Sequence, residues 1–236
     1  MQTRKIIFTV SIIFVAIVTL LGTAFISIRL FLNQFIDDNY HRRTAVWQET
    51  SDSIPDGGIV FIGDSHTEYF MVDEFFPGYP VINRGIFGDT TYGVKKRLNE
   101  SVFKLNPAKV FLFIGVNDTK KTNDSNETIA ENIREIVFSI KNSNQETVIY
   151  LQSLYPVNQS RFDPYKISNN RISEINLLLK SLCDDVNILY IDMFSHLVDE
   201  YGQLRKEYTV DGLHLNAAGY RYVANILHQY INGNIL

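Results

Sequence analysis

Ser65 stands in Gly63-Asp64-Ser65-His66, directly after the apolar run Ile59-Val60-Phe61-Ile62. A serine at a strand-to-helix turn can project its hydroxyl into a cleft while its own N–H faces the same space. That hydroxyl becomes a useful nucleophile only when an imidazole takes its proton and a carboxylate orients the imidazole. Asp211-Gly212-Leu213-His214 offers both groups, three residues apart around a glycine turn. Acyl transfer also needs donors aimed at the developing oxyanion. Gly85 in Asn83-Arg84-Gly85 follows Val81-Ile82, and a glycine N–H can approach a substrate unhindered by a Cβ. Asn117 in Gly115-Val116-Asn117-Asp118 follows Val110–Ile114 and can donate from its side-chain amide. Singly, each signal is weak: Gly-Asp-Ser is commonly a polar turn or helix cap, and the glycine and asparagine segments equally suit turns. His41, His196 and His228 read as surface or packing residues.

These groups need a scaffold that gathers them. Ile59–Ile62, Val81-Ile82, Val110–Ile114, Val148–Leu151 and Ile188–Ile191 are short, continuous apolar runs. Continuous rather than alternating apolarity predicts strands covered on both faces, as in a parallel sheet. Between them Ile129, Ile133, Ile136, Val137 and Ile140 form one helical stripe, and Ile172, Ile175, Leu178, Leu179 and Leu182 another. Tyr220, Val223, Ile226, Leu227 and Tyr230 mark a last helix. The expectation is a three-layer α/β/α sandwich with its ligand site beyond the C-terminal strand ends, where Ser65, Gly85 and Asn117 all fall.

The second glycine of the α/β-hydrolase elbow is missing after Ser65, so that fold is not supported. The ordered blocks Gly-Asp-Ser, Asn-Arg-Gly, Gly-x-Asn-Asp and Asp-x-x-His instead resemble the SGNH (GDSL-type) hydrolase family across about residues 58–231. Phe87-Gly88-Asp89-Thr90-Thr91 and Asp211-Gly212-Leu213-His214-Leu215-Asn216 look most like its bacterial branch of platelet-activating-factor acetylhydrolase-like and lysophospholipase-type esterases. The resemblance implies a five-stranded flavodoxin-like sheet of order 2-1-3-4-5. It implies Ser65 as nucleophile, His214 as base and Asp211 as its orienter. The oxyanion would be held by the N–H groups of Ser65 and Gly85 and the amide of Asn117. No metal or organic cofactor is required. His66 departs from the leucine of the GDSL signature; it either holds a helix-turn position or contacts substrate. Asp64 is expected to hold the turn through backbone groups.

The chain has 236 residues, 45% hydrophobic and 20% charged, which suits one catalytic domain plus an extension. A net charge of -4 without a long Lys/Arg cluster gives no reason to expect a nucleic-acid partner. The single cysteine, Cys183, excludes an internal disulfide and a multi-cysteine metal site, and its apolar helical setting predicts burial. Ile6–Ile28 carries no charge and follows Arg4-Lys5. At about 1.5 Å per residue it can cross a hydrocarbon core of ~30 Å. A cleaved signal peptide, cut near Gly22-Thr23-Ala24, competes with an uncleaved single-pass anchor; the full apolar length favours the anchor. Residues 1–31 are thus read as anchor, 32–57 as a polar connector with an ambiguous helical stretch at 39–50, and 58–236 as the hydrolase domain. The basic start places that domain outside the cell membrane.

Three functions follow in order. The first is a hydrolase of O-acyl esters, acetyl or short acyl, on a carbohydrate, cell-envelope or lipid substrate. The second is an acyltransferase using the same serine, and the third a non-catalytic envelope-binding module. The residues Tyr69–Phe76 read either as core or as an acyl pocket.

Overall fold

Five apolar runs become five parallel strands because both faces of the sheet they form are covered. The structure is a computed structural model and describes residues 2–161, 166–186 and 188–233, with the side chains of 3–5 and 184–186 left out, so the Arg4-Lys5 pair lies outside the described side chains. Helix α1 (Gln2–Thr50) precedes β1 (Ile59–Gly63), α2 (Ser65–Glu68), α3 (Val72–Phe75) and β2 (Val81–Gly85). Next come α4 (Thr91–Lys96), α5 (Leu98–Ser101), β3 (Lys109–Phe113), α6 (Asp118–Lys121), α7 (Asn126–Ser143) and β4 (Val148–Gln152). Helix α8 (Asn169–Val186), β5 (Leu189–Ile191), α9 (Met193–Leu197) and α10 (Ala217–Ile231) complete the order. The strands lie β2-β1-β3-β4-β5, all parallel, the order implied by the resemblance.

The register explains the core. Phe61 lies opposite Phe111, and Phe111 opposite Tyr150, so three rings line one face with centroids 4.7 and 4.6 Å apart. Phe76 and Tyr230 close the two ends of that row, bringing in the segment after α3 and helix α10. Residues between them point to the other face, where α7 buries Ile129, Ile133, Ile136, Val137 and Ile140 and packs against α4 and α8. Cys183 is buried there, as its setting predicts.

The chain divides into two compact units, Met1–Arg42 and Arg43–Leu236. In the first, α1 carries exposed apolar side chains along the uncharged run Ile6–Ile28, which is long and apolar enough to cross a bilayer. Helix α1 does not end with that run. It continues to Thr50, followed by a single 3-10 turn at Ser51–Ser53, so most of the expected connector is helical. Its last turns belong to the second unit, where Trp47 is 6% exposed against Arg84 and Arg97.

Candidate active site

Strand β1 ends at Gly63, and only glycine fits there: a Cβ would stand 2.0 Å from the Phe113 carbonyl oxygen and 2.4 Å from Thr67 Oγ1. Asp64 caps α2, its Oδ1 accepting the His66 N–H at 3.0 Å. This is the turn-holding role expected of it. Burial, opposed by that N–H and reinforced by Asp89 and Asp118, pushes Asp64 up to about 8. Ser65 is the first helical residue, so its N–H has no partner within the helix.

The distant Asp-x-x-His segment meets this serine. Ser65 Oγ lies 3.1 Å from His214 Nε2, and His214 Nδ1 lies 2.7 Å from Asp211 Oδ2. Gly212, at φ +93, makes the turn that lets carboxylate and ring converge. Asp211 Oδ1 also accepts the N–H groups of Leu213 and His214 at 2.9 and 2.8 Å. Burial raises the Asp211 pKa, but the hydrogen bonds from the His214 ring and these two N–H groups outweigh it and hold the carboxyl below its ordinary value. The ionised carboxylate can only accept, which assigns the ring proton to Nδ1 and leaves Nε2 to accept from Ser65. Helix α10 starts just beyond, capped by Asn216, whose side chain takes the Gly219 N–H.

Asn117 also reaches the site. Its amide nitrogen donates to the Asp89 carbonyl at 2.9 Å and makes a longer contact, 3.4 Å, to Asp64 Oδ2.

Gly85, expected as an oxyanion donor, is engaged elsewhere. Its N–H donates to the side chain of its neighbour Asn83 at 2.8 Å, and its Cα packs so tightly on α2 that a Cβ would meet Glu68 N at 2.1 Å. That glycine is needed for close packing of β2 on α2, and it offers no donor to the cleft. Gly88, three residues on, fits the role better. It sits at φ +73 between Phe87, which lines the cleft, and Asp89, whose carbonyl Asn117 holds, and no acceptor among the described residues takes its N–H. Two glycines at the end of one strand could have prompted the comparison; spacing alone does not say which N–H is engaged.

His66 takes the helix-turn position expected of it, as the second residue of α2. It is 3% exposed, wedged between the rings of Phe113 and Tyr155 at 5.1 and 5.2 Å and 5.7 Å from the His214 ring. Neither ring nitrogen has a hydrogen-bond partner among the described residues. Burial, with a smaller contribution from His214, pulls it down to about 3. His41 and His196 are exposed and His228 packs on Phe76, as expected. Arg97, which carried no sequence signal, is fully buried: it donates to Asp89 at 2.8 Å, to the Arg84 carbonyl at 2.8 Å and to the Gly63 carbonyl at 3.0 Å. It thereby ties the ends of β1 and β2 to the Gly88 turn.

A cleft of about 610 Å³ opens beside His214, walled by Tyr69, Met71, Phe75, Phe87, Val210 and Leu215. The segment Tyr69–Phe76 divides between two settings: Tyr69, Met71 and Phe75 line the cleft, while Phe70, Val72 and Phe76 are core. Among the described residues no group of three His, Cys, Asp or Glu side chains forms a metal-ligand set.

A five-stranded parallel α/β domain with a serine, an imidazole and a carboxylate in hydrogen-bond sequence at its strand ends has the form of a serine-type acyl hydrolase. Residues 52–222 match the GDSL-like lipase/acylhydrolase family, and the chain belongs to that family. It is a carboxylic ester hydrolase. Among solved structures it resembles a Streptococcus pneumoniae protein described as a platelet activating factor, with TM-score 0.80 and 30% identity over 85% of this chain and 96% of that one. A GDSL-like lipase from Bacteroides thetaiotaomicron gives 0.70 and 25% over 84% and 98%, and a lipase/acylhydrolase from Enterococcus faecalis 0.65 and 26% over 76% and 97%. An N-acylneuraminate cytidylyltransferase from Escherichia coli O18:K1:H7 is 30% identical over 194 residues, 82% of this chain; the chain spans 44% of that relative's length.

Proposed function

We propose that the protein hydrolyses O-acyl esters, acetyl or short acyl, of a carbohydrate, cell-envelope or lipid substrate through an acyl-enzyme on Ser65. The observation that carries this is the connection Ser65 Oγ–His214 Nε2–Nδ1–Asp211 Oδ2, at 3.1 and 2.7 Å. Ser65 Oγ attacks the carbonyl carbon as its proton passes to His214 Nε2. The carbonyl π pair becomes the oxyanion, held by the N–H groups of Ser65 and Gly88 and by the Asn117 amide. Collapse of this intermediate expels the alcohol, which takes the proton from His214. Water then repeats the sequence at the acyl carbonyl, releasing the acid and restoring Ser65. Asp211 stays ionised throughout and stabilises the imidazolium that forms twice. The apolar cleft beside His214 receives the part of the substrate next to the scissile bond. Helix α1 anchors the chain as a single membrane pass, with the catalytic unit on the extracytoplasmic side; the uncharged, exposed run Ile6–Ile28 supports this.

The test uses the full chain in detergent and p-nitrophenyl acetate, butyrate and longer esters, with Ser65→Ala as control. Turnover is expected from the wild type alone. Equal rates for the two proteins would sink the mechanism, and acyl transfer to an added sugar without hydrolysis would replace hydrolase by acyltransferase. Protection of the catalytic unit from external protease in intact cells would overturn the orientation.

A further inference from the structure

Residues 43–51 grip both sides of the turn that carries Gly88. On one side Arg43 Nη1 bonds Glu68 Oε1 at 3.2 Å, and the other oxygen of that carboxylate accepts the N–H of Phe87. On the other side the Trp47 ring has the guanidinium carbons of Arg84 and Arg97 at 4.8 and 5.5 Å. Arg97 in turn holds the Asp89 carboxylate at 2.8 Å. Ser51 Oγ accepts from Arg84 Nη2 at 3.2 Å and donates to the Glu100 carbonyl at 2.7 Å, which fixes the Arg84 side chain against the indole. Arg43 and Trp47 are one helical turn apart on the same face of α1, and the Arg43 guanidinium also lies 5.3 Å from the indole. Phe87 and Asp89 flank Gly88, so both neighbours of that glycine are tethered to one short stretch of helix.

The electrostatics explain why an indole stands there. Arg84 and Arg97 are both largely buried, with Asp89 the carboxylate that Arg97 pairs. Burial, then the charges of Arg97 and Arg43, pull Arg84 down to about 10. The negative face of a tryptophan ring attracts guanidinium groups in a place where water cannot solvate them.

We infer that residues 43–51, the last turns of α1 and the 3-10 turn after it, position the Gly88 N–H for the oxyanion, with Arg43 and Trp47 as positioning residues. This rests on the reading of Gly88 as an oxyanion donor. Such a donor must stand about 2.7–3.1 Å from the oxygen, and a displacement of ~1 Å in an active site can cost about 10²-fold in rate. Loss of the tethers therefore acts on the transition state more than on ground-state binding. The helix that begins as the apolar run of α1 thus ends as a working part of the catalytic unit.

The experiment compares Trp47→Leu, Trp47→Phe and Arg43→Met with wild type, each as the full chain in detergent. A fluorophosphonate that labels Ser65 counts active sites. Per labelled site, kcat and KM are measured on p-nitrophenyl butyrate, together with the affinity for a trifluoromethyl ketone that adds reversibly to Ser65. Trp47→Leu is expected to lower kcat roughly tenfold or more with KM within about twofold, and to weaken the ketone by the same factor as kcat/KM. Trp47→Phe, which keeps an aromatic face, recovers most of the rate, and Arg43→Met falls between. Unchanged kcat per site in both Trp47→Leu and Arg43→Met overturns the inference. So does a loss seen only as fewer labelled sites, because the segment then serves stability alone. If Trp47→Leu does not fold, the same criteria applied to Arg43→Met decide, since that side chain is 31% exposed. Activity surviving in Ser65→Ala would defeat the underlying mechanism instead; a dead Ser65→Ala beside a fully active Trp47→Leu defeats only the positioning role.

Discussion

His66→Leu should remove an acid-sensitive component of stability. The imidazole is 3% exposed and held near a pKa of about 3, against 6.5 for an ordinary histidine. Between those values the unfolded chain binds a proton that the folded chain refuses, so stability rises with pH through the window and falls on acidification. The slope is about 1.4 kcal/mol per pH unit. From about pH 7.5 to pH 5 only the part below 6.5 counts, which makes the loss about 2 kcal/mol. Asp64 opposes it: its folded pKa is raised from 3.8 to about 8, so the folded state keeps a proton the unfolded state loses, and Asp64 favours folding more as pH falls through that range. In the wild type the two slopes nearly cancel between 3.8 and 6.5. In His66→Leu only that of Asp64 remains, and the variant should gain on the wild type by about 2 kcal/mol on acidification, roughly 4–8 °C in melting temperature for a unit of this size. Thermal melts of both proteins at the two pH values, followed by near-ultraviolet circular dichroism, measure this. The difference between the proteins, compared across pH, cancels the loss of the ring contacts with Phe113 and Tyr155, which is the same at both. Parallel shifts of the two melts would refute the reasoning.

Three further outcomes follow from the site. Asp211→Asn leaves a group that no longer selects the Nδ1–H tautomer of His214, and kcat should fall by about 10⁴, read from steady-state turnover. Asn117→Ala removes an oxyanion donor and should cost about 10²–10³ in kcat with little change in KM, measured on p-nitrophenyl butyrate. Arg97→Met leaves the Asp89 carboxylate, 3% exposed, without its buried cation, and should destabilise the fold by about 3–5 kcal/mol, visible as a lowered urea midpoint.

What the sequence discloses depends on whether a residue's role is local. Ile59–Ile62 and Val110–Ile114 announce buried strands because each run must itself fill both faces of the sheet, and the stripe from Ile129 to Ile140 announces a helix because its period is its own. Ser65, Asn117 and the Asp211–His214 pair were legible for a related reason: each sits at a strand end or before a helix, where parallel topology gathers such residues. The roles that escaped are set by partners far along the chain. The stretch 39–50 reads as an ambiguous short helix over the domain, but nothing around Trp47 shows that Arg84 and Arg97 will stack on it. Arg97 itself follows Lys95-Lys96 and looks like one more solvated cation until Gly63, Arg84 and Asp89 close around it.

The two glycines make the same point within one turn. Gly85 and Gly88 are equally free of a Cβ, one ending β2 and the other three residues beyond it. What separates them is a hydrogen bond: the Asn83 side chain takes the Gly85 N–H at 2.8 Å and also anchors α2 by donating to the Thr67 and Phe70 carbonyls at 2.7 and 2.8 Å. Asn83 therefore fastens β2 to the helix that begins with Ser65. The N–H it consumes at Gly85 goes to holding the site together, whereas no acceptor among the described residues takes the one at Gly88, which is why we assign that N–H to the oxyanion.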